Sequence, residues 1–192
     1  FCVWGASLSL GGAPTSAILT ESVIATRSAE IATVLLGSWF NANEGTIYAD
    51  CELGDGQEAT PALFALRKDF NDYIWAFRDP ATAAIIVNVT TGGVAQTYIT
   101  GYGAGPRERI RLAFRYRTND FAVALRTGSI VYSSQRYAPF NVLTDTVGAL
   151  PVGLTNLDLG CFGTVSQLNG RVGRFTYWPK GLSNDELSDL VA

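Results

Sequence analysis

At 192 residues the chain is long enough to bury a sizeable core, as one large sandwich or two small domains. Hydrophobic residues at 47% and charged ones at 16% exclude a disordered chain, and no apolar run approaches the ~20 residues of a membrane span. A formal charge of −3 argues against a general nucleic-acid binder, and the absence of histidine removes Ser-His-Asp catalysis, Cys-His catalysis and every histidine metal site.

Residues 1 to about 10 read as one strand, closed by the turn signal of Gly11, Gly12 and Pro14. The stretch 15–27 has no period and reads as a connection. We therefore expect 1–26 to be the end of an upstream module or linker strand, and 27–192 to be the main domain. The chain has no methionine and opens on Phe1, Cys2, Val3 and Trp4 in mid-strand style, so it reads as part of a longer polypeptide.

From residue 31 onward, strand and turn signals alternate every 8–12 residues, the pattern of an all-β sandwich. The expected strands cover 31–40, 46–53, 63–67, 73–78, 84–90, 94–98, 109–117, 121–125, 130–132, 154–159 and 171–178. The apolar run 31–36 reads as a buried strand. The pairs flanking Thr91–Gly93 and Thr118–Asp120 read as hairpins. Glycines 101, 103 and 105 read as a flexible turn, since the Lys-Ser/Thr of a phosphate loop is missing. Residues 133–153 make a long excursion around Pro139 and Pro151. After the last strand Pro179 ends the ladder; Ser183 with Glu186 then forms a capping box ahead of Leu187, Leu190 and Val191, predicting a short helix.

The strand 109–117 carries the sharpest charge pattern. At strand spacing Ile110, Leu112, Phe114 and Tyr116 share one face, while Arg107, Arg109, Arg111, Arg115 and Arg117 share the other. Such a stripe is either a solvated outer face paired with neighbouring acids or a groove for anions, where the planar guanidinium meets a carboxylate or phosphate in bidentate fashion. Asp50, Glu52, Asp55 and Glu58 form the densest acidic run; Asp50 and Glu52 point the same way on a strand. Paired carboxylates could serve glycoside hydrolysis, but a Gly-Asp-Gly turn breaks the spacing, and a non-catalytic protein is expected. Asp50, Glu52 and Asp55 are also the candidate ligands for Ca²⁺, against the plainer reading of a charged turn; no other cofactor is expected.

Three scattered cysteines, Cys2, Cys51 and Cys161, read as buried thiols, with a Cys51–Cys161 bridge as the alternative. Aromatic residues make up 11% of the chain. Trp39, Phe114, Tyr116, Phe121 and Phe175 read as core, whereas Tyr98, Tyr102, Tyr132 and Tyr137 lie near strand ends or loops, where a ligand could stack.

Particular motifs carry a resemblance to a known family. The segment 168–190, a strand closing on one capped helix, resembles the C-terminus of concanavalin A-like (laminin-G-like) domains of bacteriophage tail and head-fibre proteins. The run from Leu150 to Gly160 is similar to that family's P-x-G-L-T-x-L-x-I-G turn and strand, and Arg111–Leu125 to its preceding two-strand segment. Val3 to Leu8, with Pro14 to Ser16 and Thr26 to Ala29, resembles its junction with an upstream carbohydrate-binding-module-like jelly roll. The resemblance implies a concanavalin A-like jelly-roll β-sandwich with a short C-terminal helix, displayed on a virion surface after assembly in the bacterial cytoplasm. It implies binding of host-surface glycan, contact with other virion subunits and a homo-oligomer, commonly a trimer. A purely structural decoration or oligomerisation domain is the alternative. The candidate glycan contacts are Arg107, Arg109, Arg111, Arg115, Arg117, Tyr98, Tyr102 and Tyr137; no nucleic acid and no membrane insertion are expected.

Overall fold

The computed structural model describes residues 31–54, 60–128 and 142–192. The expectations placed on 1–26, on the strand 130–132 and on Cys2, Asp55, Glu58, Tyr132 and Tyr137 lie outside these residues.

Eleven strands and one helix are described: β1 (Ala32–Leu35), β2 (Glu44–Glu52), β3 (Ala62–Arg67), β4 (Tyr73–Arg78), β5 (Ala84–Thr91), β6 (Val94–Gly103), β7 (Arg109–Arg117), β8 (Phe121–Thr127), β9 (Leu143–Asp145), β10 (Asn156–Leu159), β11 (Arg171–Trp178) and α1 (Asn184–Val191). They form a six-stranded sheet, β1-β10-β3-β4-β5-β6, and a five-stranded sheet, β11-β2-β7-β8-β9. Every neighbouring pair is antiparallel. This is the jelly-roll β-sandwich with a C-terminal helix that the sequence predicts.

The core lies between the sheets and follows from period-2 alternation. Phe64, Leu66, Ile74, Ile85, Val87 and Val89 face inward from the larger sheet; Ile47, Ala49, Ile110, Leu112, Phe114, Phe121 and Val123 meet them from the smaller. Phe175, half-buried, closes on Phe64 at 5.9 Å between ring centroids. Cys51 and Cys161 are buried free thiols, not a bridge. Burial, helped by the charge of Asp50, pushes the Cys51 thiol up to about 12, and burial also raises that of Cys161. At pH 8 the thiolate fraction of Cys51 is then on the order of 10⁻⁴. Iodoacetamide is expected to leave the peptides carrying Cys51 and Cys161 unlabelled in the folded protein and to label both in urea. Labelling of either in the folded state, read by peptide mass mapping, would contradict this burial.

Several local expectations are corrected. The run 31–36 does form a strand, but among the described residues β1 is a sheet edge that pairs only with β10, and Val34 and Leu35 are exposed. Trp39 is 41% exposed rather than core, stacked edge-on against Tyr177 at the sandwich rim. Gly101 and Gly103 do not belong to a flexible turn, because β6 runs to Gly103; the turn starts at Gly105, whose carbonyl accepts from the Glu108 amide. Gly101 is needed for close approach: a Cβ there would lie 2.5 Å from Leu125 Cδ2 and 3.2 Å from the Ile85 carbonyl oxygen. Strand β9, three residues in the excursion after residue 141, was not expected.

Candidate functional site

Two solvent-facing surfaces result, one on the outer face of each sheet. On the five-stranded sheet, antiparallel register stacks outward residues into rows: Arg171–Glu52–Arg109, then Arg174–Asp50–Arg111, then Thr176–Tyr48–Ala113, then Trp178–Thr46–Arg115. Ala113 interrupts the arginine stripe, and with Ala122 and Ala124 it provides the shallow seat on which Leu187 and Val191 of α1 pack. The helix starts at the expected capping box, with Ser183 Oγ accepting from the Glu186 amide and the Glu186 carboxylate accepting from the Ser183 amide.

The arginines of the predicted stripe are therefore not equivalent. Arg115 is nearly covered; it donates to the Leu182 carbonyl at 2.8 Å, to Asn184 Oδ1 at 2.9 Å and to Asp120 at 2.6 Å, tying the start of α1 to the sheet. Arg117 pairs with Glu44 at 2.5 Å, and this hydrogen bond holds the Glu44 carboxyl below its ordinary range. Arg107 is not on the strand: it sits in the preceding turn with φ 58°, so it leaves the stripe. Arg109 and Arg111 remain at the open end.

There the sheet, the end of α1 and the edge strand β11 enclose a groove of about 670 Å³, lined by Tyr48, Asp50, Glu52, Arg109, Arg111, Arg171, Arg174, Leu190 and Ala192 among others. Arg109 clasps Asp50 through Nε at 2.7 Å and Nη2 at 2.5 Å. That clasp holds the Asp50 carboxyl below the usual carboxylate range against the opposing effect of burial. Arg111 Nη1 donates to the Ala192 oxygen at 2.6 Å, and the Arg174 guanidinium lies over the Tyr48 ring at 5.5 Å. Asp50 and Glu52 do share a face, as expected. Asp50 is engaged by Arg109, and among the described residues no group of three His, Cys, Asp or Glu side chains could hold a metal ion.

On the six-stranded sheet one row crosses all six strands: Thr33, Asp158, Ala65, Trp75, Asn88 and Tyr98. Asp158 has no exposed surface; it pairs with Arg67 and accepts from Thr33 Oγ1 at 2.7 Å and from the Gly163 amide at 2.8 Å. Next to it Ala65 leaves room for Phe162, which packs against Trp75 at 4.9 Å, Tyr73 at 5.2 Å and Phe70 at 5.2 Å. Asn88 donates to the Tyr73 hydroxyl at 3.3 Å. Tyr98 and Phe70 are exposed, Tyr73, Trp75 and Asn88 half-buried, and Tyr102 is exposed further along β6. The sequence singled out Tyr98 and Tyr102 but not Tyr73, Trp75 or Asn88, whose assembly depends on register across three strands.

No protein-family model matches the chain, and no curated protein matches it by sequence. Solved structures match its fold. Domain 4 of AbnA, an extracellular arabinanase from Geobacillus stearothermophilus in complex with arabinotriose, aligns at TM-score 0.58 and 11% identity, over 86% of this chain and 82% of that one. The LG1-3 region of the laminin α2 chain aligns at TM-score 0.52 and 12% identity, over 80% of this chain and 31% of that one. A toad ovary galectin bound to thio-digalactose aligns at TM-score 0.49 and 9% identity, over 77% and 98%. What the chain shares with the first two is the fold, a concanavalin A-like jelly-roll β-sandwich.

Proposed function

We propose that the protein is a non-catalytic carbohydrate-binding domain, and that its sugar site is the aromatic and polar row on the outer face of the six-stranded sheet. One observation carries this reading: Trp75, Asn88 and Tyr98 stand side by side in register, with an amide between two rings and the Tyr73 hydroxyl bonded to it. An aromatic face receives the apolar C–H face of a sugar, and an amide supplies both a donor and an acceptor for its hydroxyls. The non-catalytic reading is supported by Asp50, whose two oxygens are both taken by Arg109.

The setting we propose follows the resemblance of segments 111–125, 150–160 and 168–190 to phage fibre and spike domains. It is a module on a virion surface, binding host glycan weakly per copy and gaining strength from several copies in a homo-oligomer. The exposed apolar edge of β1 favours an additional role in contact with further subunits.

A glycan array with purified, size-characterised protein tests the reading. Binding to a defined sugar is expected, lowered at least ten-fold (about 1.4 kcal/mol) by Tyr98→Ala and by Asn88→Ala, with circular dichroism unchanged. Silence of the wild-type protein on the array, or full binding by the double variant, would remove the function or the site respectively.

A further inference from the structure

We propose that the groove on the five-stranded sheet is a second, separate binding site, and that it takes the acidic group of an anionic saccharide such as a uronate. It does not depend on the aromatic row, because the two surfaces lie on opposite outer faces of the sandwich.

The local backbone builds the site. Residues three apart on a regular strand face opposite ways, so Arg171 and Arg174 would be divided between core and solvent. A β-bulge at Gly173 removes one residue from the register, so that Arg171 pairs with Glu52 and Arg174 with Asp50. Both arginines then reach the outer face, the re-aiming that a bulge performs. Four guanidiniums against two carboxylates leave an excess of two positive charges in this groove, in a chain of net charge −3.

The excess is pre-arranged. Asp50 is clasped by Arg109, and Arg111 and Arg174 act on it only through space; among the described residues no carboxylate side chain forms an ion pair or hydrogen bond with Arg111, Arg171 or Arg174. Arg111 is steadied by the Ala192 oxygen, and Arg174 by Thr176 Oγ1 at 3.1 Å and by the Tyr48 ring. Holding the guanidiniums beforehand lowers the ordering cost of binding.

The same groove selects against bare or densely charged anions. At about 670 Å³ it exceeds the size of a single inorganic ion. Glu52 is exposed at its floor, and Asp50 is beside it. These carboxylates accept hydrogen bonds from hydroxyl groups and repel a chain of phosphates or sulfates. Leu190 adds an apolar wall. One acidic group on a hydroxyl-bearing ring satisfies all of these partners.

The test follows the arginine Nε–Hε signals of ¹⁵N-labelled protein by NMR during titration with glucuronate, galacturonate and N-acetylneuraminate. Methyl glucoside and inorganic sulfate serve as comparison probes. At least one acidic sugar is expected to shift Arg111, Arg171 and Arg174 saturably and leave Arg117 in place, while the glucoside shifts none. Arg171→Gln with Arg174→Gln is expected to weaken that binding at least ten-fold with the fold retained, whereas Tyr98→Ala leaves it unchanged. Three outcomes overturn the proposal: no saturable shift with any of the three acids, equal or stronger shifts with sulfate, or uniform movement of all arginine signals. Loss with Tyr98→Ala but not with the arginine pair would assign the acid to the opposite face.

Discussion

Asp158→Ala is expected to lower the free energy of unfolding by about 2–4 kcal/mol, the cost of breaking a buried ion pair reduced because Arg67 keeps some contact with water. The Asp158 carboxylate is fully covered and accepts from three donors on three separate segments: Thr33 of β1, Arg67 of β3 and the amide of Gly163. Alanine leaves all three donors unanswered and a guanidinium uncompensated. Asp158→Asn is expected to cost less. Its amide can turn so that the oxygen receives Arg67 while the NH₂ donates to the Thr33 hydroxyl, leaving mainly the loss of charge. Urea denaturation followed by tryptophan fluorescence checks the order wild type, Asn, Ala. An alanine variant within 1 kcal/mol of wild type would show that the network contributes little to the fold.

How far the sequence discloses this molecule depends on whether a feature is local. Strands β4 and β7 lie where alternation and turn residues place them, because each buries one face and the period of two leaves little choice. The capping box is equally local. The arginine stripe was legible, but that Ala113 interrupts it to seat a helix follows only from the fold. Arg171 and Arg174 escaped because the bulge at Gly173 breaks the alternation that sequence reasoning assumes. Asp158 sits between Leu157 and Leu159, so its alternation marks it as outward-facing; its burial comes from Arg67, ninety-one positions away. Trp75, Asn88 and Tyr98 come from three strands, and their common row is a property of register alone. The exposed edge at β1 was misread because an apolar run predicts burial without saying which sheet position it will occupy.

Leu187→Ala is expected to release α1, and with it one wall of the arginine groove. Eight residues are too few for a helix to persist alone in water, so its docking must come from outside contacts. Leu187 and Val191, both fully buried, supply the apolar part, on Tyr48, Ala113, Ala122 and Ala124. Removing a buried leucine to alanine costs about 2–5 kcal/mol. The flat alanine seat cannot rise to fill the space, because its side chains are already the smallest available. The polar ties to Arg115 and Thr46 hold Leu182 and the first turn, not the second. The variant is therefore expected to keep the sandwich and lose the end of the helix. Hydrogen exchange would show this as at least a thirty-fold loss of protection (about 2 kcal/mol) at the α1 amides, with β7 changed much less. Leu190 and Ala192 line the groove, and the Ala192 oxygen steadies Arg111, so anion binding should weaken in the same variant. If the α1 amides keep their protection, the helix is held mainly by its polar ties and the groove wall does not depend on Leu187. Loss of protection with anion binding intact would instead place the binding determinants wholly on β2, β7 and β11.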